Sequence, residues 1–337
     1  MTRKFIFTLV LISAGFLAIC GCSKAASSTP YVNGSDIIRQ KLGTAIDGYP
    51  ESVQSVLREI VLQEGFVGVI TKEQAQTVAT KLSASPQETA LALVNLASIY
   101  AKTPISNYNV GAVAIGSSGN MYFGCNLEFS GQPLSFSVHA EQSAIMNAWM
   151  HGETGVTTLA ITAAPCGYCR QFLNELSTAS TLEILLEDSP PISLLTLLPK
   201  PFGPADLGMT GALMLEGKQS LNLSAAANDR TITAALAAAS SSYAPYSLNY
   251  AGVALESTDG VVVTGRYAEN AAYNPSMSPL QAALSQYNLT GRDFSEIKRA
   301  VLVQTNLKTT NQSDVTKAAL GSVARQATLE IYLATHR

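Results

Sequence analysis

Charged residues are scarce in this chain. They make up 13% of its 337 residues, while hydrophobic residues make up 47%; a typical soluble domain is about one quarter charged. The formal net charge is −3, and Lys and Arg do not cluster among aromatic residues. Because no basic patch offers a general attraction for a polyanion, the composition argues against a nucleic-acid substrate. The low charge predicts a large core and further apolar contact between subunits.

Histidine is also rare, since the chain has only three histidines beside five cysteines. One histidine and two cysteines nevertheless fall in a metal-binding pattern: His139-Ala-Glu141 is followed, after a gap, by Pro165-Cys166-Gly-Tyr-Cys169. The pattern resembles the signature of zinc deaminases, in which one His and two Cys bind zinc and the Glu is not a ligand. Three protein ligands leave the fourth tetrahedral position open for water, as in catalytic zinc sites.

Two helix starts are predicted to carry these ligands. Helical apolar spacing over residues 140–149 places His139 and Glu141 in a first turn. Residues 158–162 read as a short buried strand, and Pro165 suits the first turn of a second helix. The apolar stripe predicted for that second helix consists of Phe172, Leu173 and Leu176. The dipole at a helix start favours thiolate over thiol, which suits a cysteine ligand.

Two other interpretations of the cysteine pair remain open at this point. A structural zinc site requires a fourth Cys or His ligand, for which Cys125 and His151 are the nearest candidates. A redox pair explains the Cys-x-x-Cys spacing but gives no role to His139 or Glu141.

Residues 1–22 read as a targeting segment. Arg3 and Lys4 precede an apolar run that is short for a membrane span and ends in Ile-Cys-Gly-Cys22. This ending resembles a bacterial lipobox with Cys22 as the lipidated residue; the alternative is an ordinary signal peptide that is cut near Ala25 or Ala26. Residues 23–35 read as a flexible tether. The sequence thus predicts export and lipid anchoring to a bacterial membrane, with a cytoplasmic enzyme as the alternative.

The rest of the chain divides into two similar halves. Residues 36–85 are predicted as a helical segment and residues 86–205 as the zinc domain, with a hairpin over 109–128 and a further strand over 182–187. A linker over 206–225 and a second domain over 226–337 follow. Six residues recur 141 positions later, namely Pro104, Ser106, Gly111, Gly119, Gly124 and Glu128, which become Pro245, Ser247, Gly252, Gly260, Gly265 and Glu269.

The second half lacks the metal ligands. The same offset takes His139 to Leu280, Glu141 to Ala282, Cys166 to Leu307 and Cys169 to Thr310. No cysteine follows Cys169, and His336 is the one later histidine. The second half is therefore predicted to keep the fold without binding zinc.

From about Pro86 to its end the chain resembles the long, two-domain, homodimeric cytidine deaminases of bacteria. The matching motifs are SNYNVGA, YFGCNLEF, VHAEQSAI, PCGYCRQFLNEL, FGPADL and, in the second half, YAENAAYNP. The resemblance implies an α/β fold with a three-layer α/β/α core and a mixed sheet, present as a catalytic copy and a degenerate copy. It also implies Zn²⁺ as the metal, on His139, Cys166 and Cys169.

The resemblance further implies a nucleoside site shared between subunits. Asn126 and Glu128 are expected to hold the ribose hydroxyls, Ala140 to contact the substrate, and Tyr108 to stack near the base. Tyr273 of the partner subunit is expected to complete the site. Relatives usually have Phe where Tyr108 and Tyr273 stand, so an added hydroxyl at each position can alter substrate preference.

The expected reaction is hydrolytic deamination of cytidine and 2'-deoxycytidine to uridine and 2'-deoxyuridine in pyrimidine salvage. Zinc-bound hydroxide is expected to attack C4 of the base while Glu141 transfers protons. No nicotinamide, flavin or phosphate loop is indicated. The alternatives are a zinc-stabilised lipoprotein without catalytic activity, in which Glu141 has no use, and a deaminase of another cytosine-containing substrate.

Overall fold

The computed structural model describes residues 34–215, 217–224, 229–306 and 310–336. The predicted leader, including Cys22, lies outside these ranges, so its cleavage and lipidation remain predictions. None of the helices in the described ranges is long and apolar enough to cross a membrane.

The N-terminal segment is helical, as predicted, but it also contributes a strand. Its helices are α1 (Gly34–Ile46), α2 (Glu51–Val61), α3 (Lys72–Leu82) and α4 (Pro86–Ser98). Helix α1 begins at Gly34, so it includes the last two residues of the predicted tether. Pro86 opens α4 as expected, and the Ser85 hydroxyl caps it by accepting the Glu88 N–H. The unpredicted strand β1 (Val69–Ile70) is too short to show an alternating pattern.

The first copy is built on a mixed sheet. Its remaining strands are β2 (Gly111–Gly116), β3 (Met121–Cys125), β4 (Val156–Ile161), β5 (Glu183–Leu185) and β6 (Ile192–Ser193). Its helices are α5 (Ala140–Met150), α6 (Gly167–Leu173) and α7 (Leu194–Leu197). The strand order is β1-β3-β2-β4-β5-β6. Strands β4 and β5 are parallel and the other neighbours are antiparallel. The predicted hairpin, site helix and following strands are confirmed.

Two glycines show that helices cover both faces of this sheet. A Cβ on Gly111 would lie 2.1 Å from the Val94 carbonyl oxygen of α4, and one on Gly124 would lie 2.2 Å from the Ala144 nitrogen of α5. Gly124 pairs with Ala112, the residue after Gly111. Since paired residues share a face and successive residues alternate, α4 and α5 lie on opposite faces. This arrangement is the predicted α/β/α layering.

The second copy repeats this architecture. Its elements are β7 (Leu221–Leu223), α8 (Arg230–Ser240), β8 (Ala251–Ser257), β9 (Val262–Arg266), α9 (Pro279–Leu289), β10 (Ile297–Thr305), α10 (Ser313–Val323) and β11 (Thr328–His336). The strand order is β7-β11-β10-β8-β9, in which β10 and β11 are parallel. The run β9-β8-β10-β11 therefore matches β3-β2-β4-β5 in order and direction. Strand β7 lies inside the predicted linker, and Leu213, earlier in that linker, pairs with Leu176 of the first copy.

The offset of 141 residues holds through the hairpin, is interrupted at α9, and returns in β10, where Leu302 pairs with Val253 as Ile161 pairs with Ala112. Residues 126–139 connect β3 to α5, whereas the shorter run 267–278 connects β9 to α9. Gly124 approaches Ala140 and Ala144, and Gly265 makes the same approach to Pro279 and Ala283, 139 positions later. His139 therefore corresponds in space to Ser278, and Glu141 to Leu280. The correspondence predicted for His139 and Glu141 was therefore wrong by two positions, but neither Ser278 nor Leu280 is a metal ligand. The counterparts predicted for Cys166 and Cys169 follow β10 in sequence, where the offset of 141 residues is restored.

The two copies meet through α5 and α9, which are related by an approximate twofold axis. The Ser143 and Ser285 hydroxyls lie 2.8 Å apart. On either side of them, Gln142 donates to the Pro275 carbonyl at 3.3 Å and Gln281 donates to the Phe136 carbonyl at 2.7 Å. Every residue of α5 from Ala140 to Trp149 is buried. Part of the apolar surface expected between subunits thus lies between the copies of one chain.

We expect Gly124→Ala to lower the melting temperature strongly, because its Cβ would overlap the backbone of α5. Overpacking typically costs about 1–3 kcal/mol, and main chain that cannot move away places this variant at the upper end of that range. Gly321→Ala is the matched control, since nothing lies within 4 Å of its added Cβ in α10. Alanine there is expected to stabilise by up to about 1 kcal/mol. Equal melting temperatures for the two variants would contradict the close contact between β3 and α5.

Candidate active site and metal centre

The three predicted ligands come together at two helix starts. His139 immediately precedes α5, Cys166 immediately precedes α6, and Cys169 lies in the first turn of α6. Pro165 precedes this helix instead of lying in its first turn, so that detail of the prediction was wrong. Arg170 fixes the approach to the helix by donating from Nε to the Pro165 carbonyl and from Nη1 to the Leu197 carbonyl, both at 2.8 Å.

The donor atoms have the separations of ligands around one tetrahedral zinc ion. Cys166 Sγ lies 3.7 Å from Cys169 Sγ and 3.6 Å from His139 Nδ1. Zinc bonds of about 2.3 Å to sulfur and about 2.0 Å to nitrogen, at a tetrahedral angle, separate two sulfurs by about 3.8 Å and a sulfur from a nitrogen by about 3.5 Å. One nitrogen and two sulfurs are also donors that zinc prefers. The three residues therefore fit Zn²⁺.

Hydrogen bonds prepare one of the cysteines as a thiolate. The Cys169 thiol, and after it His139, lowers the pKa of Cys166 to about 3. The pKa of the buried Cys169 is raised, first by its bond to Cys166 and then by burial. Cys166 is the exposed member of the pair, and its lowered pKa favours the thiolate form. Thiolate is the form of cysteine that binds zinc.

The arrangement decides between the interpretations of the cysteine pair. Among the described residues, the one group of His, Cys, Asp and Glu donors at metal-binding distance is His139, Cys166 and Cys169. Cys125 is buried and accepts a hydrogen bond from Asn288 instead, and His151 bonds the Asn147 carbonyl. A fourth protein ligand from either residue is thus excluded. The donor set of three matches a catalytic zinc site and not a structural one.

Glu141 lies beside the metal ligands without belonging to their group. It is only 4% exposed, and burial is the main cause that raises the pKa of its carboxyl group. A carboxyl group in this position is suited to carry a proton and not only to remain charged. Ala140, predicted to contact the substrate, is fully buried, and that role remains a prediction.

Asn126 and Glu128 hold the loop before β2. The Asn126 amide donates to the Tyr108 carbonyl and accepts the Val110 N–H, both at 2.9 Å. Glu128 accepts the backbone N–H groups of Ile105 and Ser106 and the Ser106 hydroxyl. Glu269 makes the same three bonds with Tyr246 and Ser247. Each predicted ribose ligand thus has a structural role too. In the second copy, Glu269 has the same structural role as Glu128.

Sequence reasoning missed Tyr168, which supports the histidine ligand. Its ring lies 5.6 Å from the His139 ring at an angle of 32°, and its hydroxyl donates to the Asn274 carbonyl of the second copy at 2.9 Å. The signal in the sequence that could have pointed to Tyr168 was its position between Cys166 and Cys169. Its partner lies more than one hundred residues away, which local spacing cannot reveal.

Comparison with known proteins is consistent with this geometry. The family model described as "Cytidine and deoxycytidylate deaminase zinc-binding region" matches residues 84–183, and a second model with the same description matches residues 194–317. Cytidine deaminases from Yersinia pestis (strain Pestoides F) and Yersinia pseudotuberculosis serotype IB (strain PB1/+) are each 47% identical to this chain over 278 residues. Each alignment covers 82% of this chain and 94% of the relative.

The chain belongs to the cytidine deaminase family. A solved cytidine deaminase from Mycobacterium tuberculosis is 31% identical to it, with 34% of this chain and 96% of that chain covered and a TM-score of 0.32. As a cytidine deaminase, the protein is a zinc-dependent hydrolase, and its His-Cys-Cys group is the part of the described chain that fits the metal.

We expect the deaminase to bind one zinc ion per chain and Cys169→Ser to bind less than about one tenth of that amount. A serine hydroxyl is a far poorer zinc ligand than a thiolate. Cys125→Ser is the control, because this buried cysteine only accepts a hydrogen bond from Asn288 at 3.3 Å. Elemental analysis of dialysed protein measures the zinc. Loss of zinc from the Cys125 variant alone would refute the ligand assignment.

Proposed function

We propose that this cytidine deaminase hydrolyses cytidine and 2'-deoxycytidine to uridine and 2'-deoxyuridine, with release of ammonia, in pyrimidine salvage. The observation that carries the proposal is the close group of His139, Cys166 and Cys169 beside the buried Glu141. The related deaminases from Yersinia also support it.

Glu141 is the proposed proton carrier. Zinc, when bound, is a Lewis acid that makes water nucleophilic near neutral pH. The Glu141 carboxylate accepts one proton of the water that attacks C4 and delivers it to N3 of the base. It then takes the proton of the new C4 hydroxyl group and passes it to the amine, which leaves as ammonia while C4 becomes a carbonyl. Its low exposure excludes bulk water, so the proton stays within the site.

Asn126 and Glu128 are the proposed ribose ligands. Their backbone bonds hold both side chains still, because each is tied to the loop that also carries Tyr108. A carboxylate has about four acceptor positions, so Glu128 keeps capacity for a ribose hydroxyl after accepting from Ile105 and Ser106. An immobilised acceptor loses little entropy when the substrate binds.

We also propose that the active enzyme is a homodimer in which Tyr273 acts on the partner's site. Large apolar side chains around this region remain uncovered in the single chain: Tyr108 is 61%, Leu134 is 71% and Tyr273 is 65% exposed. Exposed aromatic groups of this size are typical of interfaces and ligand sites. A partner chain that covers them would also close the substrate site.

Glu141→Gln is expected to lose at least about a thousandfold in kcat while it keeps its zinc. The amide preserves the shape of the side chain but cannot take the proton. Deamination of cytidine and 2'-deoxycytidine is measured beside the zinc content of the same preparation. Loss of zinc would mean that Glu141 is a ligand. Absence of turnover in the wild-type protein would favour the non-catalytic alternative.

Mixed dimers test the shared site. A Glu141→Gln chain paired with a Tyr273→Ala chain contains one site with an intact Glu141 and an intact Tyr273, if Tyr273 acts across the interface. Each parent variant should therefore be nearly inactive, while verified mixed dimers should recover about half of the wild-type kcat. Dimers that carry two different affinity tags allow this species to be isolated. No recovery of activity would refute the shared site.

We propose, finally, that the leader anchors the mature chain through Cys22. Arg3, Lys4 and the apolar run that ends in Ile-Cys-Gly-Cys22 support this proposal. Intact-mass analysis of the native protein should find a chain that begins at a lipid-modified Cys22, and Cys22→Ser should release it from the membrane. Because the metal ligands lie elsewhere, that variant should keep its zinc. An uncut leader would refute the anchor and leave the deaminase proposal intact.

A further inference from the structure

Glu175 is a buried carboxylate to which the proposed chemistry assigns no role. It follows α6 by two residues, and its side chain is fully buried. Its Oε1 accepts the Tyr243 hydroxyl at 2.8 Å and the Tyr246 hydroxyl, and its Oε2 accepts the Ala271 N–H at 2.9 Å. All three donors belong to the second copy. A buried carboxylate requires such donors in place of water, so the contact is specific and costly to disturb.

The hydroxyl groups of Tyr243 and Tyr246 stay protonated, and so remain hydrogen-bond donors, over the whole physiological pH range. Burial raises the pKa of both Tyr243 and Tyr246; the next cause is the charge of Glu175 for Tyr243 and the hydrogen bond to Glu175 for Tyr246. Tyr246 also packs against Tyr273, with ring centres 6.3 Å apart. Glu175 thus bonds both the ring that supports Tyr273 and the backbone two residues before it.

We define the Tyr273 loop as residues 268–277. Besides the Glu175 contact, two side-chain bonds join it to α6: the Asn270 amide donates to the Gln171 carbonyl and the Tyr168 hydroxyl donates to the Asn274 carbonyl, both at 2.9 Å. Tyr273 itself has a φ of 61°, in the left-handed region that a bulky residue rarely occupies. Such a conformation persists only where the surroundings hold it.

We propose that Glu175 is a positioning residue for the partner subunit's active site. It fixes the Tyr273 loop against α6, the helix that carries the cysteine ligands of its own chain, so that Tyr273 projects outward in one conformation. This inference rests on the proposed function, in which Tyr273 completes the neighbouring site. It adds that each chain's Glu175 serves the other chain's substrate.

Mixed dimers give opposite results according to whether Glu175 acts on the active site of its own chain or on that of the partner chain. Glu175→Gln keeps the volume but presents an amide N–H group to one of its three donors, which loosens the loop. The first mixed dimer pairs a wild-type chain with a Glu141→Gln, Glu175→Gln chain, so its active site faces an altered loop. The second pairs a Glu141→Gln chain with a Glu175→Gln chain, so its active site faces an intact loop.

In the first mixed dimer we expect KM for cytidine to rise about fivefold to tenfold, with kcat within twofold of one wild-type site, because a loosened support costs about one hydrogen bond. The second should have wild-type constants. The reverse pattern would mean that Glu175 acts on its own cysteine ligands, and equal constants or equal impairment would mean that it positions nothing across the interface. Each of these outcomes overturns the proposal.

Glu153→Gln is the matched control. Glu153 is 7% exposed and likewise accepts Ser and Tyr hydroxyls, from Ser118 and Tyr122, but it does not bond the Tyr273 loop. It should leave KM unchanged in both mixed dimers. If Glu175→Gln does not fold, Tyr246→Phe takes its place, because it removes one donor and keeps the ring. A dimer of a wild-type chain and a Glu141→Gln, Tyr273→Ala chain distinguishes failure of the Glu175 proposal from failure of the shared site. A normal KM for cytidine in that dimer would refute the shared site itself.

Discussion

The burial of α5 on all sides is the constraint on which the rest of the structure depends. One side of this helix lies against the backbone of β3 at Gly124, and another lies against α9 at Ser143 and Ser285. A helix enclosed in this way has almost no freedom to shift. His139 and Glu141 lie at its start, so the same packing holds them in place. The metal ligand and the proposed proton carrier are therefore placed by packing, before any metal or substrate contributes.

The second copy separates what the fold requires from what the chemistry requires. It retains the glycine under the helix, the glutamate that holds the loop, and the glutamine that bonds across the axis, as Gly265, Glu269 and Gln281. It has Ser278 and Leu280 where the first copy has His139 and Glu141. Since this copy forms the same sheet and helices without those residues, the architecture does not need a metal ion to fold. The metal ligands of the first copy are therefore not part of what the shared architecture requires.

The metal site could be predicted from sequence because each ligand is positioned by its own neighbours. A helix start follows His139 and another follows Cys166, and local apolar spacing reveals both. Contacts between the copies could not be found in that way. Tyr168 meets Asn274, and Glu175 meets Tyr243, Tyr246 and Ala271, through chain reversals that leave no periodic signal. Strand β1 could not be predicted because its two residues are too few to show an alternating pattern. The change of register before α9 could not be predicted either, because the shorter loop leaves the strand before it and the helix after it intact.

The pairing of α5 with α9 has a consequence for how the protein responds to dilution. Both helices belong to one polypeptide, so the linker gives their contact an effective concentration that does not depend on how much protein is present. A deaminase assembled from separate single copies would lose the corresponding contact as its concentration fell. Here the Ser143–Ser285 contact and the two glutamine bonds beside it form at any concentration in which the chain is folded. Dilution can act only on contacts between chains, and the enclosed helix that carries His139 and Glu141 is protected from it.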